Sequence, residues 1–379
     1  MPSRIFIVVV CCILALLHVY IGWRILPDLP LASGYKFFGG LWLVLSVVLV
    51  PTGLLSRTIK RQPLSDSLAW AGMLTMGLFS SLLVLTFLRD VLLLLAAMMN
   101  FPAIALSCYT AVIVPLLAFA LTALGLVNAR RLAKVREVEV PIAGLPLALH
   151  GFTIVQISDI HIGPTIKGGY LQAIVDVVNR LKPDLIAVTG DLVDGSVHQL
   201  SLHTAPLGKL SAPCGAYFVT GNHEYYSNAN EWIAEVRRLG LIVLMNQHVM
   251  LTHQGAALLV AGVTDYGAHH FDASHRSDPH AAMVGAPEHV GVKVLLAHQP
   301  RSADAAADAG FDLQLSGHTH GGQFFPWNLF VPLQQPFTAG LHRLRKLWVY
   351  TSRGTGYWGP PKRLWAPSEI TRLRLVPAV

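Results

Sequence analysis

The chain has 379 residues, 53% of them hydrophobic and only 13% charged, against roughly a quarter charged in an ordinary globular protein. That composition excludes a disordered chain and argues against a wholly soluble one. The net charge of +7 includes no long Lys/Arg run, so no nucleic-acid partner is expected.

The charge is unevenly spread. Residues 1–128 hold seven Lys/Arg and three Asp/Glu, whereas 129–379 hold 21 and 18. Charge-free stretches cover 5–23, 37–56, 67–88 and 91–129. About 20 helical residues cross a hydrocarbon core of roughly 30 Å, so each of the first three is one transmembrane helix. The fourth is too long for one pass and contains Asn100-Phe101-Pro102. Proline there predicts a break, with a span over 103–127 and 91–99 as a helical extension or re-entrant piece. The first stretch exceeds a signal-peptide core and lacks a cleavage site, so it reads as a span.

Loop charges set the orientation. Arg57, Lys60 and Arg61 lie between the second and third spans, and Arg130, Arg131, Lys134 and Arg136 follow the fourth, while Arg89-Asp90 reads as a neutral loop. Both termini, and everything after residue 129, are therefore expected in the cytoplasm, with the chain a multi-pass protein of the cell (inner) membrane. His18, near Tyr20 and Trp23, reads as a ring at the membrane interface in preference to a proton relay. Cys11, Cys12, Cys108 and Cys214 suggest no disulfide framework.

The expected organisation is a transmembrane domain over 1–129, a basic linker over 130–137 and an α/β domain over 138–379. Short β-rich runs at 152–157, 185–189, 216–219, 242–245, 258–263 and 292–297 alternate with helical patterns at 171–181 and 231–239, and further strands are expected at 347–349 and 370–375.

What ends these strands carries chemistry. The first runs into Ser158-Asp159-Ile160-His161, the second into Gly190-Asp191-Leu192-Val193-Asp194, and the third into Gly221-Asn222-His223-Glu224. Residues 292–297 deliver His298, and 313–316 run into Gly317-His318-Thr319-His320-Gly321-Gly322. Loops at strand carboxyl ends converge above a rigid sheet. A two-metal hydrolase needs a bridging anionic oxygen, nitrogen and carboxylate ligands, and an open position. Asp159, His161 and one of the paired histidines suit one ion, Asn222, His298 and the other histidine the second, and Asp191 the bridge. If these segments are strand-like, alternate side chains share a face, so both members of Asp159-x-His161 and His318-x-His320 reach metal. Each element alone has a dull explanation as a turn, a cap or surface polarity. Five in order, each after a β-run, do not.

The array SDIHIG, GDLVDG, GNHEYY, AHQP and GHTHGGQ resembles the calcineurin-like metallophosphoesterase superfamily over about residues 137–379. Its tail, Ser352-Arg353-Gly354-Thr355-Gly356 followed by Gly359-Pro360-Pro361-Lys362-Arg363, is similar to the membrane-associated YaeI/YkuE-like branch. The resemblance implies a four-layer αββα sandwich after the all-α transmembrane helices. It implies Asp159, His161, Asp191 and His320 around one ion, Asp191, Asn222, His298 and His318 around the other, and His223 beside the leaving group. Asp194 and Glu224 read as supporting groups. Mixed His, carboxylate and amide donors without cysteine suit two divalent ions, Mn²⁺ ahead of Fe or Zn²⁺.

His269, His270, His275 and His280 crowd one segment with irregular spacing, which favours a polar loop over a third metal site. Residues 324–330, Phe-Phe-Pro-Trp-Asn-Leu-Phe, read first as core packing and second as an apolar lip at the bilayer, with Arg343, Arg345 and Lys346 near anionic head groups.

The expected function is an integral-membrane, metal-dependent phosphohydrolase acting by metal-bridged hydroxide attack on a phosphoester or pyrophosphate. Its substrate is expected to be a membrane lipid or nucleotide-linked lipid of the UDP-2,3-diacylglucosamine type. The alternatives are a broad phosphomonoesterase or phosphodiesterase on soluble substrates, and a membrane sensor or scaffold with a structural metal. The oligomeric state is left open.

Overall fold

The computed structural model describes residues 4–56, 59, 61–101 and 103–378. Arg57, Lys60 and Pro102, used above for orientation and for a helix break, lie outside the described residues. The chain divides into a helical unit, 1–130 with 359–362, and an α/β unit, 131–358 with 363–379.

Among the described residues the first unit contains four long apolar helices: α1 (Arg4–Ile25), α2 (Ser33–Leu55), α3 (Leu64–Met98) and α4 (Ala103–Arg130). Ile21, Leu43, Phe79, Leu82, Val114 and Ala118 form their shared core. Small residues let two helices touch: a Cβ on Gly53 of α2 would overlap the Gly72 backbone of α3, and the reverse also holds. Many remaining Leu, Ile and Phe side chains face outward, as expected of helices solvated by lipid.

Two expectations about this unit are corrected. Arg89-Asp90 is not a loop; α3 runs through it for 35 residues, about 50 Å at 1.5 Å each, and takes in 91–98 as its own extension. The charges are tolerated because they are paired. Arg89, buried, donates to the Arg24 carbonyl at 2.8 Å, Thr110 Oγ1 at 3.0 Å, the Ser107 carbonyl at 3.1 Å and Asp28. Asp90 accepts from Tyr20 Oη at 2.7 Å and Arg24 Nε at 2.9 Å. His18, for its part, is not an exposed ring of the kind that snorkels to an interface. It is buried, stacked on Phe79 at 4.1 Å and bonded to Ser46 Oγ and the Leu14 carbonyl, both at 2.8 Å.

In the second unit the elements are β1 (Lys134–Ile142), β2 (Thr153–Ile157), α5 (Gly168–Arg180), β3 (Leu185–Val188), α6 (Val197–Thr204), β4 (Ala216–Phe218), α7 (Asn222–Tyr226), α8 (Ala229–Arg238), β5 (Ile242–Val243), β6 (Gln247–His253), β7 (Ala256–Gly262), β8 (Val292–Leu296), α9 (Ala303–Asp308), β9 (Leu313–Ser316), β10 (Gly340–Leu344), β11 (Leu347–Thr351) and β12 (Glu369–Pro377). They make two six-stranded sheets, ordered β1-β12-β2-β3-β4-β5 and β10-β11-β9-β8-β7-β6. Ile154, Leu185 and Ala187 of the first sheet share one core with Val260, Val294 and Leu315 of the second, so the sheets pack face to face. On the outer side of the second sheet, Leu259, Leu295 and Val349 pack against Ala303 and Ala306 of α9.

Residues 134–137, read above as linker, form the first half of β1, parallel to β12 from Lys134↔Glu369 onward. Their charge hid them: Lys134, Arg136 and Glu137 lie on an edge strand exposed to water, where charged residues discourage further pairing.

Removing Arg89 strands Asp28 and leaves the helical unit with an uncompensated carboxylate. Asp28 is 37% exposed and so keeps part of its hydration, which brings the cost below the roughly 3–5 kcal/mol of breaking a fully buried pair. Arg89→Leu is expected to lower the thermal unfolding midpoint of the detergent-solubilised protein well below wild type; an unchanged midpoint would show that the pair contributes nothing.

Candidate metal centre

The carboxyl ends of β2, β3, β4, β8 and β9 deliver the seven side chains Asp159, His161, Asp191, Asn222, His298, His318 and His320. Among these seven, two tight groups form, Asp159/His161/His320 and Asp191/His298/His318, with the donor atoms of each within 4.8 Å of one another, and His161 makes a third such group with Asp194 and His223. His161 Nε2 is 3.1 Å from His320 Nε2, and His298 Nε2 is 3.2 Å from His318 Nδ1. Asp191 joins the groups: its Oδ2 lies 3.2 Å from His298 Nε2 and 3.8 Å from His161 Nε2. Asn222 enters as the first residue of α7, and its buried Oδ1 has no hydrogen-bond partner.

Supporting contacts aim these donors. The Thr189 carbonyl takes the Nδ1–H of His298 at 2.8 Å, which fixes the ring with Nε2 toward Asp191. Asp194 does the same for His161 at 3.3 Å. Glu224 holds two loops at once, accepting from the backbone N–H groups of Asp191 at 3.0 Å, Leu192 at 2.8 Å and Gly221 at 2.6 Å. Arg363, fully buried, places Nη2 3.1 Å from His320 Nδ1 while donating to the Gly356 and Arg353 carbonyls. Sequence reasoning named Arg363 only within a tail motif and missed this contact, because the residue is distant in sequence from every metal-capable loop.

The backbone explains why two residues apart can converge. Asp159, His161, Asp191, His318 and His320 all have left-handed φ, between 51° and 70°. The expectation that D-x-H and H-x-H act as strand segments is corrected: β2 and β9 have ended, and left-handed residues turn the side chains inward. Such conformations cost about 1–3 kcal/mol each and persist only where the surroundings over-determine them. Glycine is required where the loops meet. A Cβ on Gly317 would overlap Asp159 Oδ2 and Ser158 Oγ, and one on Gly221 would overlap Asp191 Oδ1.

His223 stands beside the two groups. Its Nδ1 is 2.5 Å from Asp194 Oδ1, its backbone N–H donates to Asp191 Oδ1 at 2.8 Å, and Tyr226 and Trp358 flank its ring at 5.1 and 5.8 Å. Burial would lower its pKa, but the Asp191 and Asp194 carboxylates overrule that and raise it to about 9. Burial likewise opposes ionisation of Asp194, and His161 and His223 override it, holding the carboxyl well below its usual range.

The donor set fits two divalent cations. Pairs of imidazole nitrogens face each other at hydrogen-bond distance, an amide oxygen is buried without a partner, and carboxylates lie between, a hard-to-borderline N/O array without cysteine. Among the described residues, His269, His270, His275 and His280 form no comparable group; His275 Nδ1 instead bonds Tyr225 Oη at 2.9 Å.

A calcineurin-like phosphoesterase family model matches residues 152–322. An uncharacterized metallophosphoesterase of Aquifex aeolicus is 33% identical over 219 residues, covering 57% of this chain and 82% of that relative. This chain belongs to the calcineurin-like metallophosphoesterase family. The YkuE metallophosphoesterase of Bacillus subtilis, also uncharacterized, is 31% identical over 60% of this chain and 80% of its own length. A transmembrane protein with metallophosphoesterase domain from Bos taurus is 41% identical over 67% of this chain and 60% of the relative. The chain thus spans about 60% of the length of that mammalian metallophosphoesterase.

Residues 324–330, near the metallophosphoesterase centre in sequence, correct the core-packing expectation. Phe324 is buried, but Phe325, Trp327, Leu329 and Phe330 are 43%, 51%, 60% and 51% exposed. The tight turn at Gly321-Gly322 and the run of short helical turns after it leave too little packed neighbour to cover them.

Gly221→Ala should push Asp191 off both groups while leaving the sheets intact. The expected result is loss of bound divalent metal by elemental analysis, with a stability cost of about 1–3 kcal/mol typical of overpacking; full metal content in the variant would contradict the close approach of the loops.

Proposed function

We propose that the chain is an integral-membrane phosphohydrolase that cleaves a phosphoester or pyrophosphate bond of a membrane lipid or nucleotide-linked lipid. The observation that carries the hydrolase reading is Asp191 between two converging donor groups with His223 at hydrogen-bond distance from Asp194. Asp159, His161, Asp191 and His320 would hold one divalent ion and Asp191, Asn222, His298 and His318 the other. Mn²⁺ suits that set ahead of Fe or Zn²⁺. Bound there, the pair would polarise phosphoryl oxygens and an attacking water.

The remaining work belongs to the chain. Asp194 anchors Nδ1 of His223, so its Nε2 carries the proton that can pass to the departing oxygen. The Asp191 and Asp194 carboxylates raise the pKa of that imidazole, which favours its charged form. Tyr226 and Trp358 border the ring edge-on and steady its orientation.

Two observations support a lipid substrate: four apolar helices long enough to span a bilayer, and the exposed apolar run from Phe325 to Leu333 that follows the His318/His320 turn. Loop charges support a catalytic unit on the cytoplasmic face of the cell (inner) membrane.

Chelation is expected to abolish hydrolysis of p-nitrophenyl phosphate, and Mn²⁺ to restore it; Asp191→Asn should remove most activity even with metal supplied. His223→Ala should keep its metal but lose about 10²–10⁴-fold in kcat. Unchanged activity in His223→Ala would remove the proton-donor role and indifference to chelation the metal mechanism, whereas no hydrolysis by the Mn²⁺-loaded wild type would favour a scaffold with a structural metal. For the substrate, the reconstituted enzyme is assayed on a lipid extract with phosphate and nucleotide release followed. Turnover confined to soluble esters would end the lipid assignment.

A further inference from the structure

Beside Asn222 and His318 lies a cavity of about 230 Å³ whose walls include Tyr226, Phe271, Arg301 and Gln335. None of these four belongs to the metal-capable groups. The cavity is smaller than the roughly 300–1,000 Å³ that encloses a drug-sized ligand, so it suits a head group and not acyl chains.

Its polarity is preset by a chain of amides. Asp265, buried, accepts Gln299 Nε2 at 2.9 Å and the Gly267 N–H at 2.7 Å. That turns Gln299 Oε1 away from the carboxylate, where it accepts Gln335 Nε2 at 3.0 Å. Gln335, only 5% exposed, is thereby left with its Oε1 as the free end, and this buried oxygen has no hydrogen-bond partner. Flipping either amide would set like groups against each other, so the orphan cannot be relieved from within. An unsatisfied buried acceptor is costly, and a bound O–H or N–H removes that cost.

Charge and shape complete the wall. Arg301 uses Nε on the Gln334 carbonyl and rests over Tyr266 at 5.8 Å, while its two terminal amino groups carry no hydrogen bond among the described residues. Guanidinium groups with free forks pair with phosphate. Tyr226 and Phe271, 5.6 Å apart and exposed, give an aromatic edge suited to the face of a sugar ring.

We propose that this cavity is a subsite for a phosphorylated, hydroxylated head group, a sugar phosphate or polyol phosphate, in which Arg301 holds the anion and Gln335 Oε1 accepts from a hydroxyl. The assignment rests on reading the neighbouring residues as a phosphoesterase centre, and it gives the substrate class that centre would act upon. The head group bonded to the scissile phosphorus therefore carries a second anionic group.

The test uses the full chain in detergent, stripped of metal with chelator, and calorimetric binding of glucose 6-phosphate, glucose and inorganic phosphate. Wild type is expected to bind glucose 6-phosphate at least about tenfold more tightly than inorganic phosphate, and glucose more weakly still. Arg301→Ala should weaken glucose 6-phosphate binding at least about tenfold, Arg301→Lys should retain part of it, and Gln335→Leu should erase the preference over inorganic phosphate. Equal binding of glucose 6-phosphate and inorganic phosphate by wild type, or an affinity unchanged by Arg301→Ala, overturns the proposal. Arg301 is exposed, so its variants leave the core untouched; an unchanged thermal midpoint checks this. Because the readout is binding without metal, its failure is separate from failure of the hydrolase reading, which shows as absent p-nitrophenyl phosphate turnover in the Mn²⁺-loaded protein.

Discussion

One carboxylate organises the α/β unit. Asp191 Oδ2 faces His298 at 3.2 Å and His161 at 3.8 Å, Oδ1 accepts the backbone of His223 at 2.8 Å, and its own N–H is held by Glu224. These contacts tie the end of β3 to the ends of β2, β4 and β8, so that one side chain holds four strand ends together. Burial resists ionisation of such a group, yet His298 and the neighbouring imidazoles hold its pKa well below the ordinary carboxylate range. The same negative charge that ties the loops together is what draws cations to the site.

The fold supplies the stiffness this arrangement needs. Left-handed backbone at Asp159, His161, Asp191, His318 and His320 is unfavourable for residues with side chains, and it survives because β2, β3 and β9 enter a shared core just before each turn. Glu224 matters for the same reason. It satisfies three loop N–H groups with one buried carboxylate, and burial together with the nearby Asp191 charge pushes its pKa up to about 7.

Much of this was legible in order and little of it in geometry. The four apolar helices and the alternation of strand and helix could be read from composition and pattern, and the six carboxylate and imidazole side chains that group at the strand ends from residue type and position after a β-run. Strands β1, β6 and β10 escaped notice because edge strands carry charge or polarity in place of an apolar signature. Arg89-Asp90 misled because charge in an apolar segment reads as a loop unless its partners are known, and Asp28, Arg24 and Thr110 lie far off in sequence. The D-x-H and H-x-H pairs were found for a wrong reason. Period-two spacing predicts a shared face on a strand, whereas the structure achieves convergence with turns. Arg363 and Gln335 left no local trace, since each acts through residues about 40 positions away.

Tyr226 links the two halves of the chemistry. Its ring packs at 5.1 Å on His223, the proton donor in this reading, and at 5.6 Å on Phe271 at the cavity edge. It is the last residue of α7, the five-residue helix that begins with Asn222 and carries His223 next. A metal-capable amide, a proton-holding imidazole and a cavity wall therefore sit on one short rigid element stapled at its start by Glu224. A head group seated against Tyr226 would be in register with His223 without any loop movement, because the spacing between the two is set by helical rise and not by a flexible hinge. Binding energy gained from the head group would then act directly on the position of the leaving oxygen, which is where an interaction remote from phosphorus contributes to rate.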